Sequence, residues 1–404
     1  MVGQPRSLFR WREIPGSVWT LGLVSMLMDV SSEMIHALLP LYLVTVLGTS
    51  TLTVGIIEGI AEATASMTKV FSGALSDYLG KRKWLAAFGY GLAAVTKPVF
   101  PLASSIGWLV AARFVDRVGK GIRGAPRDAL IADLTPPGLR GGAYGLRQSL
   151  DTIGAVLGPL LAIFFMMIFA DNFAGVFWIA VIPAFLSVAL IIVAVREPAR
   201  RPGPREVRSP LSRRELARLS RVYWMIAAVA AIFTLARFSE AFLLLRAQSV
   251  GMPVAVVPMV LVVMNIVYAF TAWPAGALSD RIGRYGLVTV GFALLVLADL
   301  ALAIGGSVTV VMIGVALWGL HMGLTQGVLS ALVADTAPDD LRGTAFGVFN
   351  LVSGVAMLAA SIVAGALWDT AGPAGTFLAG AAFTAIALAA LPFARWRVMK
   401  AKKG

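Results

Sequence analysis

Residues Ala129–Gly145 read ALIADLTPPGLRGGAYG, and Ala331–Gly347 read ALVADTAPDDLRGTAFG. Ten of these seventeen positions are identical at an offset of 202. A second pair, Gly73-Ala-Leu-Ser-Asp77 and Gly276-Ala-Leu-Ser-Asp280, repeats at 203, and a fainter one, Ser32-Glu33 and Ser239-Glu240, at 207. The 404-residue chain is therefore a tandem of two like halves, a pattern to be settled before any local structure is assigned.

The segments flanking these repeats are apolar and long. Stretches of spanning length run at about 17–47, 53–76, 83–104, 106–132, 143–170 and 174–195, and again at about 222–249, 253–278, 285–305, 307–333, 343–368 and 374–394. Their length without period-two alternation predicts helices, because only helices or closed barrels satisfy the backbone in lipid. Composition agrees: 58% of residues are hydrophobic and 14% charged, against about 25% charged in an ordinary soluble domain. Mean hydropathy is +0.84, so a soluble enzyme is not expected. An even number of spans separates each repeated pair, which gives both halves the same orientation. The reading is an all-α integral membrane protein of 12 transmembrane helices in two pseudo-symmetric six-helix bundles, residues 1–195 and 222–404, joined by a basic linker at 196–221.

The net charge of +13 would suggest nucleic acid in a soluble chain. Here the Lys and Arg outside the spans fall in the two termini and alternate loops, nine Arg lying between Arg196 and Arg221, and none falls in the opposite loops. This positive-inside pattern places both termini in the cytoplasm and accounts for the basic charge without nucleic acid. The linker, with Pro198, Gly203 and Pro204, reads as a basic face on anionic headgroups. Met1 to Gly16 carries Arg6, Arg10 and Arg12, but the apolar run that follows is too long for a signal peptide and has no A-x-A-like cleavage site. The absence of Cys excludes disulfides, thiolate metal sites and cysteine nucleophiles.

Three motifs make the chain resemble the major facilitator superfamily of secondary transporters. The first is Gly73-x-Leu75-x-Asp77-x-x-Gly80-Lys81-Arg82-Lys83 after the second span, with a shorter copy, Gly276-x-Leu278-x-Asp280-x-x-Gly283-Arg284, after the eighth. Its glycines allow a tight turn, and Asp77 can sit against the positive end of a helix. The resemblance implies that this helix is the eleventh span, that Lys81 pairs with Asp133 and Arg284 with Asp335, and that the resulting latch favours an outward-open state. The second is Arg113-Phe-x-Asp116-Arg117-x-Gly119-x-Gly121 in the fourth span, where Asp116 and Arg117 replace the Gln and Gly of the antiporter pattern. The third, Gly145, Gly154, Gly158 and Pro159 in the fifth span, resembles the motif of drug/proton exchangers, with Ala162 and Ile163 in place of its closing glycines. Its small residues and proline permit close packing and a bend where the halves rock.

Fifteen ionisable side chains other than His lie within the first-half spans. At about 3 kcal/mol each, exposing them to lipid would cost on the order of 45 kcal/mol, beyond any protein's stability. Seven acids and eight bases nearly cancel, so a hydrated cavity with internal pairing is required. Helical spacing puts Asp29, Glu33 and His36 on one stripe of the first span and Arg113, Arg117 and Lys120 on one stripe of the fourth. Asp29, Glu33 and Asp116 are the candidate proton carriers. Candidate substrate ligands are His36, Arg113, Arg117, Lys120, Arg147, Asp151, Glu240 and Gln326, since guanidinium groups engage carboxylate or phosphate bidentately.

Several of these charges also have structural readings: snorkelling for Lys97 beside Pro98, an interfacial position for Arg127 and Asp128, and ion pairs for Glu62 with Lys69 and Arg147 with Asp151. The second half is drier, with Arg237, Glu240, Arg246 and Asp299 as its comparable charges and Asn265, Tyr268, Trp318, His321, Thr325 and Asn350 as hydrogen-bonding or aromatic surface.

The expected function is secondary active transport of a small polar or charged solute by alternating access, in the direction of proton-coupled efflux. Three alternatives stay open: a proton symporter for an organic anion or metal-chelate ligand, an exporter of divalent metal built on Asp29, Glu33 and His36, and a membrane sensor or scaffold. No nucleophile elbow, His-x-x-x-His pair or phosphate loop suggests an enzyme. Neither cofactor nor resident metal is expected. The expected partners are a small-molecule substrate, protons and the lipid bilayer, with the chain a monomer in the cytoplasmic membrane.

Overall fold

The structure, a computed structural model, describes residues 13–79, 81–136, 139–197, 216–282, 284–337 and 341–401. These form α1 (Gly16–Thr45), α2 (Thr51–Leu79), α3 (Arg82–Thr96), α4 (Val99–Leu102), α5 (Ile106–Leu134), α6 (Arg140–Ile168), α7 (Phe173–Ala194), α8 (Arg221–Ala236), α9 (Ala241–Ser249), α10 (Met259–Ile282), α11 (Arg284–Ile304), α12 (Val308–Thr336) and α13 (Arg342–Ala401), with no strand among the described residues. Nine segments of the described chain are long and apolar enough to cross a membrane, with α3 and α4 making one and α8 and α9 another. The 29-residue helices α2 and α5 are of spanning length as well, but their charges keep them out of that set. Within the 60-residue α13, Gly372 adopts φ 73° and ψ −178°, a conformation that only glycine takes without strain and that breaks the helix into two limbs.

The tandem repeat is written in the backbone as well as the sequence. Left-handed residues follow α1 at Gly48 and α9 at Gly251, and recur after α6 at Ala170 and Asp171 and inside α13 at Gly372. Helix crossings repeat too. A Cβ added at Gly89 would lie 2.7 Å from the Arg123 nitrogen, where α3 crosses α5, and one at Gly291 would collide with the Thr325 methyl, where α11 crosses α12. Likewise a Cβ at Gly121 would lie 2.5 Å from Thr68 and one at Gly323 would collide with Thr271, where α5 meets α2 and α12 meets α10. Lipid tails give helices no hydrophobic reason to associate, so close approach at small residues supplies the packing energy.

The halves are joined tightly at one end of the bundle. The Asp369 carboxylate accepts hydrogen bonds from the Thr51 and Leu52 amides at 3.1 and 3.0 Å, and from the Thr51 hydroxyl. Below it, α2 and α13 meet backbone to backbone: a Cβ at Gly55 would collide with the Ser361 carbonyl oxygen, and one at Gly59 would lie 3.0 Å from Leu358. These contacts reach as far as Ser66 and Gly354. A continuous apolar core containing Leu38, Leu41 and Leu43 of α1 with Phe242, Leu244 and Leu245 of α9 fills the same end. Toward the end where α2 and α5 finish, the first half has a separate apolar core of its own around Val24, Met28, Tyr90 and Leu130. The bundle is therefore sealed at the Asp369 end and parted toward the other.

Candidate functional site

Two adjoining cavities lie between the halves, one of about 270 Å³ and one of about 560 Å³ nearer the parted end. Glu33, Glu62, Lys120 and Ala155 line both, so the cavities form one crevice. Asp29, Glu33 and His36 of the α1 stripe face it, as do Arg117 and Lys120 of the α5 stripe. Close packing aims the α1 stripe: a Cβ at Gly154 would sit 3.0 Å from the Asp29 Cβ, and one at Gly158 2.6 Å from the Glu33 Cβ. Two glycines of the exchanger-like motif thus hold α6 against the two carboxylates of α1. Gly145 has nothing within 4 Å of the same position, and takes no part in this crossing. Pro159 lies within α6.

Behind the crevice wall lies a buried ionic network. Arg113 donates through Nε to Glu58 Oε1 at 3.2 Å and through Nη2 to Oε2 at 2.7 Å, a bidentate pair, and its Nη2 also lies 2.7 Å from His36 Nδ1. Lys97 Nζ donates to Asp116 Oδ1 at 2.8 Å and to Ser32 Oγ at 3.0 Å. Lys97 is only 1% exposed, so it pairs with Asp116 inside the bundle rather than snorkelling. Arg117 bridges Asp116 at 3.7 Å and Glu62 at 3.2 Å. Glu62 therefore pairs with Arg117, and the expected partner Lys69 lines the larger cavity instead. Arg113 and Asp116, both 2% exposed, sit in this network and line neither cavity. It is here that two of the residues read as candidates for substrate and proton handling stand.

A second network borders the larger cavity. Arg123 reaches Asp29 at 3.7 Å and lies over the Tyr90 ring at 4.9 Å. Arg147 pairs with Asp151 at 3.0 Å, as its one-turn spacing suggests, and with Asp128 at 3.6 Å. Arg127 binds Asp128 at 3.1 Å and Asp151 at 3.8 Å, and donates to the Ser25 hydroxyl. It is buried inside the bundle, where Ser25 and Asp151 offer it acceptors.

The second half contributes through a broken helix. The segment between α8 and α9 leaves helical geometry at Arg237, with φ −102° and ψ 62°, and Glu240 begins the next helix. Both line the smaller cavity with Phe238, Ser239, Asn265 and Trp318. Tyr268, Gln326 and Asn350 line the larger one. This break falls at the Ser239-Glu240 copy of Ser32-Glu33, and a discontinuous helix brings backbone as well as side-chain polar groups to a cavity. Arg246 stands apart, donating to the Leu302 and Gly305 carbonyls at 2.8 and 2.7 Å, and so closes the end of α11. Asp299 and His321 are fully buried away from the crevice lining.

The latch is only partly as expected. Asp133 pairs with Arg82, at 2.8 Å, instead of Lys81. Arg82 opens α3 and reaches the end of α5, where it also donates to the Ala129 carbonyl at 2.9 Å, while Lys81 precedes the helix. Gly73 approaches Ala125 at 3.6 Å when given a Cβ. Gly80 and the side chains of Asp77, Asp280, Arg284 and Asp335 lie outside the described residues. Among the described residues no group of three or more His, Asp or Glu converges as a metal site.

Two helical halves enclosing a charged, solvent-sized crevice that is shut at one end define a membrane transporter. The model of the Major Facilitator Superfamily matches residues 21–357 and 241–404, and the chain belongs to that family. It is 35% identical over 383 residues to an uncharacterized MFS-type transporter of Methanocaldococcus jannaschii, covering 93% of this chain and 94% of that one. It is 30% identical over 182 residues to the multidrug resistance protein MdtH of Edwardsiella ictaluri, 43% of this chain and 44% of that one. Among solved structures, a mutant of the nucleoside transporter NupG superposes with TM-score 0.80 at 13% identity, covering 94% of this chain and 99% of that one. The protein is thus a multi-pass membrane transporter of small molecules.

Proposed function

We propose that the protein exports a small polar or charged solute across the cytoplasmic membrane in exchange for protons, as a monomer with both termini in the cytoplasm. The observation that carries this reading is the state of Glu33. It lines both cavities, yet among the described residues no cation lies within 4.0 Å of it. Most other acids of the crevice and its wall are held by Arg or Lys. A carboxylate free to gain and lose a proton where the solute passes can alternate between binding one and binding the other. Asp29, loosely held by Arg123 at 3.7 Å, is the second carrier, and Asp116 would join only if Lys97 let it go.

With the termini inside, the parted end faces the cytoplasm and the Asp369 end faces outward. Solute enters beside Lys69, Arg147 and Gln148, and export requires the α2 to α13 seal to open while the parted end closes. Gly154 and Gly158 let α6 slide on α1 during that rocking. The partial likeness to a multidrug resistance protein supports the outward direction. Uptake of an organic anion or metal-chelate ligand with protons is the second reading, favoured by Lys69, Lys120, Arg123, Arg127 and Arg147 around the larger cavity.

The test is proton movement in proteoliposomes loaded with a pH-sensitive dye and challenged with anions, cations, zwitterions and lipophilic drugs. Solute addition should drive protons against its own direction in the unaltered protein and not in Glu33→Gln. A Glu33→Gln response equal to the parent's would refute the assignment, and co-directional movement would establish symport.

A further inference from the structure

The smaller cavity contains four charged side chains with no opposite charge within 4.0 Å among the described residues: Glu33 and Lys120 from the first half, Arg237 and Glu240 from the second. The other ionised pair lining it, Arg117 and Glu62, is already closed at 3.2 Å. Arg237 makes its need explicit, since its buried Nε has no hydrogen-bond partner. A buried guanidinium nitrogen without a partner is costly, and together with three further unmatched charges it marks where a ligand can supply the missing partners.

The balance of these four groups decides the ligand's charge. A solute with only a carboxylate would answer Lys120 and Arg237 and leave two acids unmatched; one with only an ammonium would do the reverse. A solute carrying both answers all four. Each sign is offered once by each half, so such a solute would tie α1 and α5 to the α8 to α9 break, a contact able to differ between the two states of the transporter. Phe238, Trp318 and Met357 complete the lining with apolar surface. The volume of about 270 Å³ equals roughly nine waters at ~30 Å³ each, room for a solute on the order of ten non-hydrogen atoms.

We infer that the transported solute is a small zwitterion with an apolar body, its cationic end held by Glu33 and Glu240 and its anionic end by Lys120 and Arg237. This inference rests on the transport reading above and narrows it. It also moves substrate recognition away from Arg113, Arg117 and Arg147, whose guanidinium groups are engaged by Glu58, by Glu62 and by Asp151.

Equilibrium binding to the purified full-length protein, with no gradient present, tests it. The probes are leucine, phenylalanine, proline and glycine betaine, followed for each amino acid that binds by its methyl ester, which keeps only the ammonium, and its N-acetyl form, which keeps only the carboxylate. At least one zwitterion should bind, and any amino acid that does should lose about tenfold or more in affinity in either derivative. Arg237→Gln should erase the preference over the ester, and Glu240→Gln the preference over the N-acetyl form. Arg237→Lys and Glu240→Asp, which keep the charge, should retain both preferences and so exclude misfolding as the cause. Failure of every zwitterion to bind at about 10 mM, tenfold above the usual upper range of KM values, would overturn the inference. So would a singly charged derivative that binds as well as its parent. Zwitterion binding without solute-driven proton movement would refute the exchange reading alone, whereas proton movement driven by singly charged solutes with no zwitterion binding would refute this inference alone.

Discussion

Replacing Asp369 by Ala should unlock the sealed end. Its carboxylate, on the second half, accepts from the first two amides of α2, on the first half, at 3.1 and 3.0 Å. It therefore caps a helix across the interface that must part if this end of the crevice is to open. Capping carboxylates contribute about 0.5–2 kcal/mol, and because Asp369 is exposed the effect belongs inside that range rather than above it. One to two kcal/mol corresponds to a factor of about 5–30 in a two-state population. The cysteine-free sequence offers a direct readout through a Ser361→Cys reporter. Ser361 is 0% exposed and packs on Gly55, so a soluble maleimide reaches that position only when α2 and α13 separate. With opening fast relative to alkylation, the labelling rate should rise about 5–30-fold in Asp369→Ala, and less in Asp369→Asn, which keeps one acceptor oxygen. An unchanged rate in Asp369→Ala would show that the apolar core holds this end shut by itself and would refute the capping argument.

Three further outcomes follow from the packing. Gly158→Ala should destabilise the protein by about 1–3 kcal/mol, read as a lower melting temperature in detergent, since its Cβ would meet that of Glu33 at 2.6 Å; Gly145→Ala, with open space at that position, should melt like the parent. Lys97→Met should cost about 3–5 kcal/mol by leaving Asp116 with its closest partner gone, and Lys97→Met with Asp116→Leu should recover most of it, as Arg113 and Arg117 keep Glu58 and Glu62. Arg246→Ala should lower the melting temperature while leaving solute affinity unchanged, because its guanidinium binds the carbonyls that end α11 and touches neither cavity.

The helices and their tandem arrangement were legible because hydrophobic length and an offset of 202–203 residues depend only on the chain itself. The polar stripes of α1 and α5 were legible for the same reason: spacing along one helix fixes which side chains share a face. Pairing across helices was another matter. Lys97 beside Pro98 gives no local sign that Asp116, on a different helix, will receive it at 2.8 Å. Lys81 and Arg82 are adjacent cations, and only the start of α3 decides that Arg82 reaches Asp133. Arg113 and Asp116 lie on the stripe read as cavity lining, yet α2 brings Glu58 over the first and α3 brings Lys97 to the second, withdrawing both from the crevice. The motif glycines were readable as packing sites, but which of them touch anything depends on where α6 crosses α1.

The repeat shows how one architecture came to hold a one-sided chemistry. Gly89 and Gly121 recur as Gly291 and Gly323 and serve the same crossings in both halves, because a backbone approach tolerates no side chain whatever the solute. Between these fixed points the side chains diverged. At the same offset of 202, Lys97 and Asp116 stand where the second half has Asp299 and Trp318, Lys120 where it has Met322, and Arg123 where it has Thr325. Trp318, Met322 and Thr325 remove three charges from the fourth helix of the repeat, and Asp299 puts an acid where the third carries Lys97, so the second half could not build the first half's ion-pair network. What it offers the crevice is Arg237 and Glu240 beside a helix break, with no opposite charge within 4.0 Å among the described residues. An ion-paired network behind one side of the crevice, with Glu33 and Lys120 unpaired in front of it, faces two more unpaired charges beside a helix break on the other. A solute that engaged both sides would couple its binding to the position of the discontinuous helix.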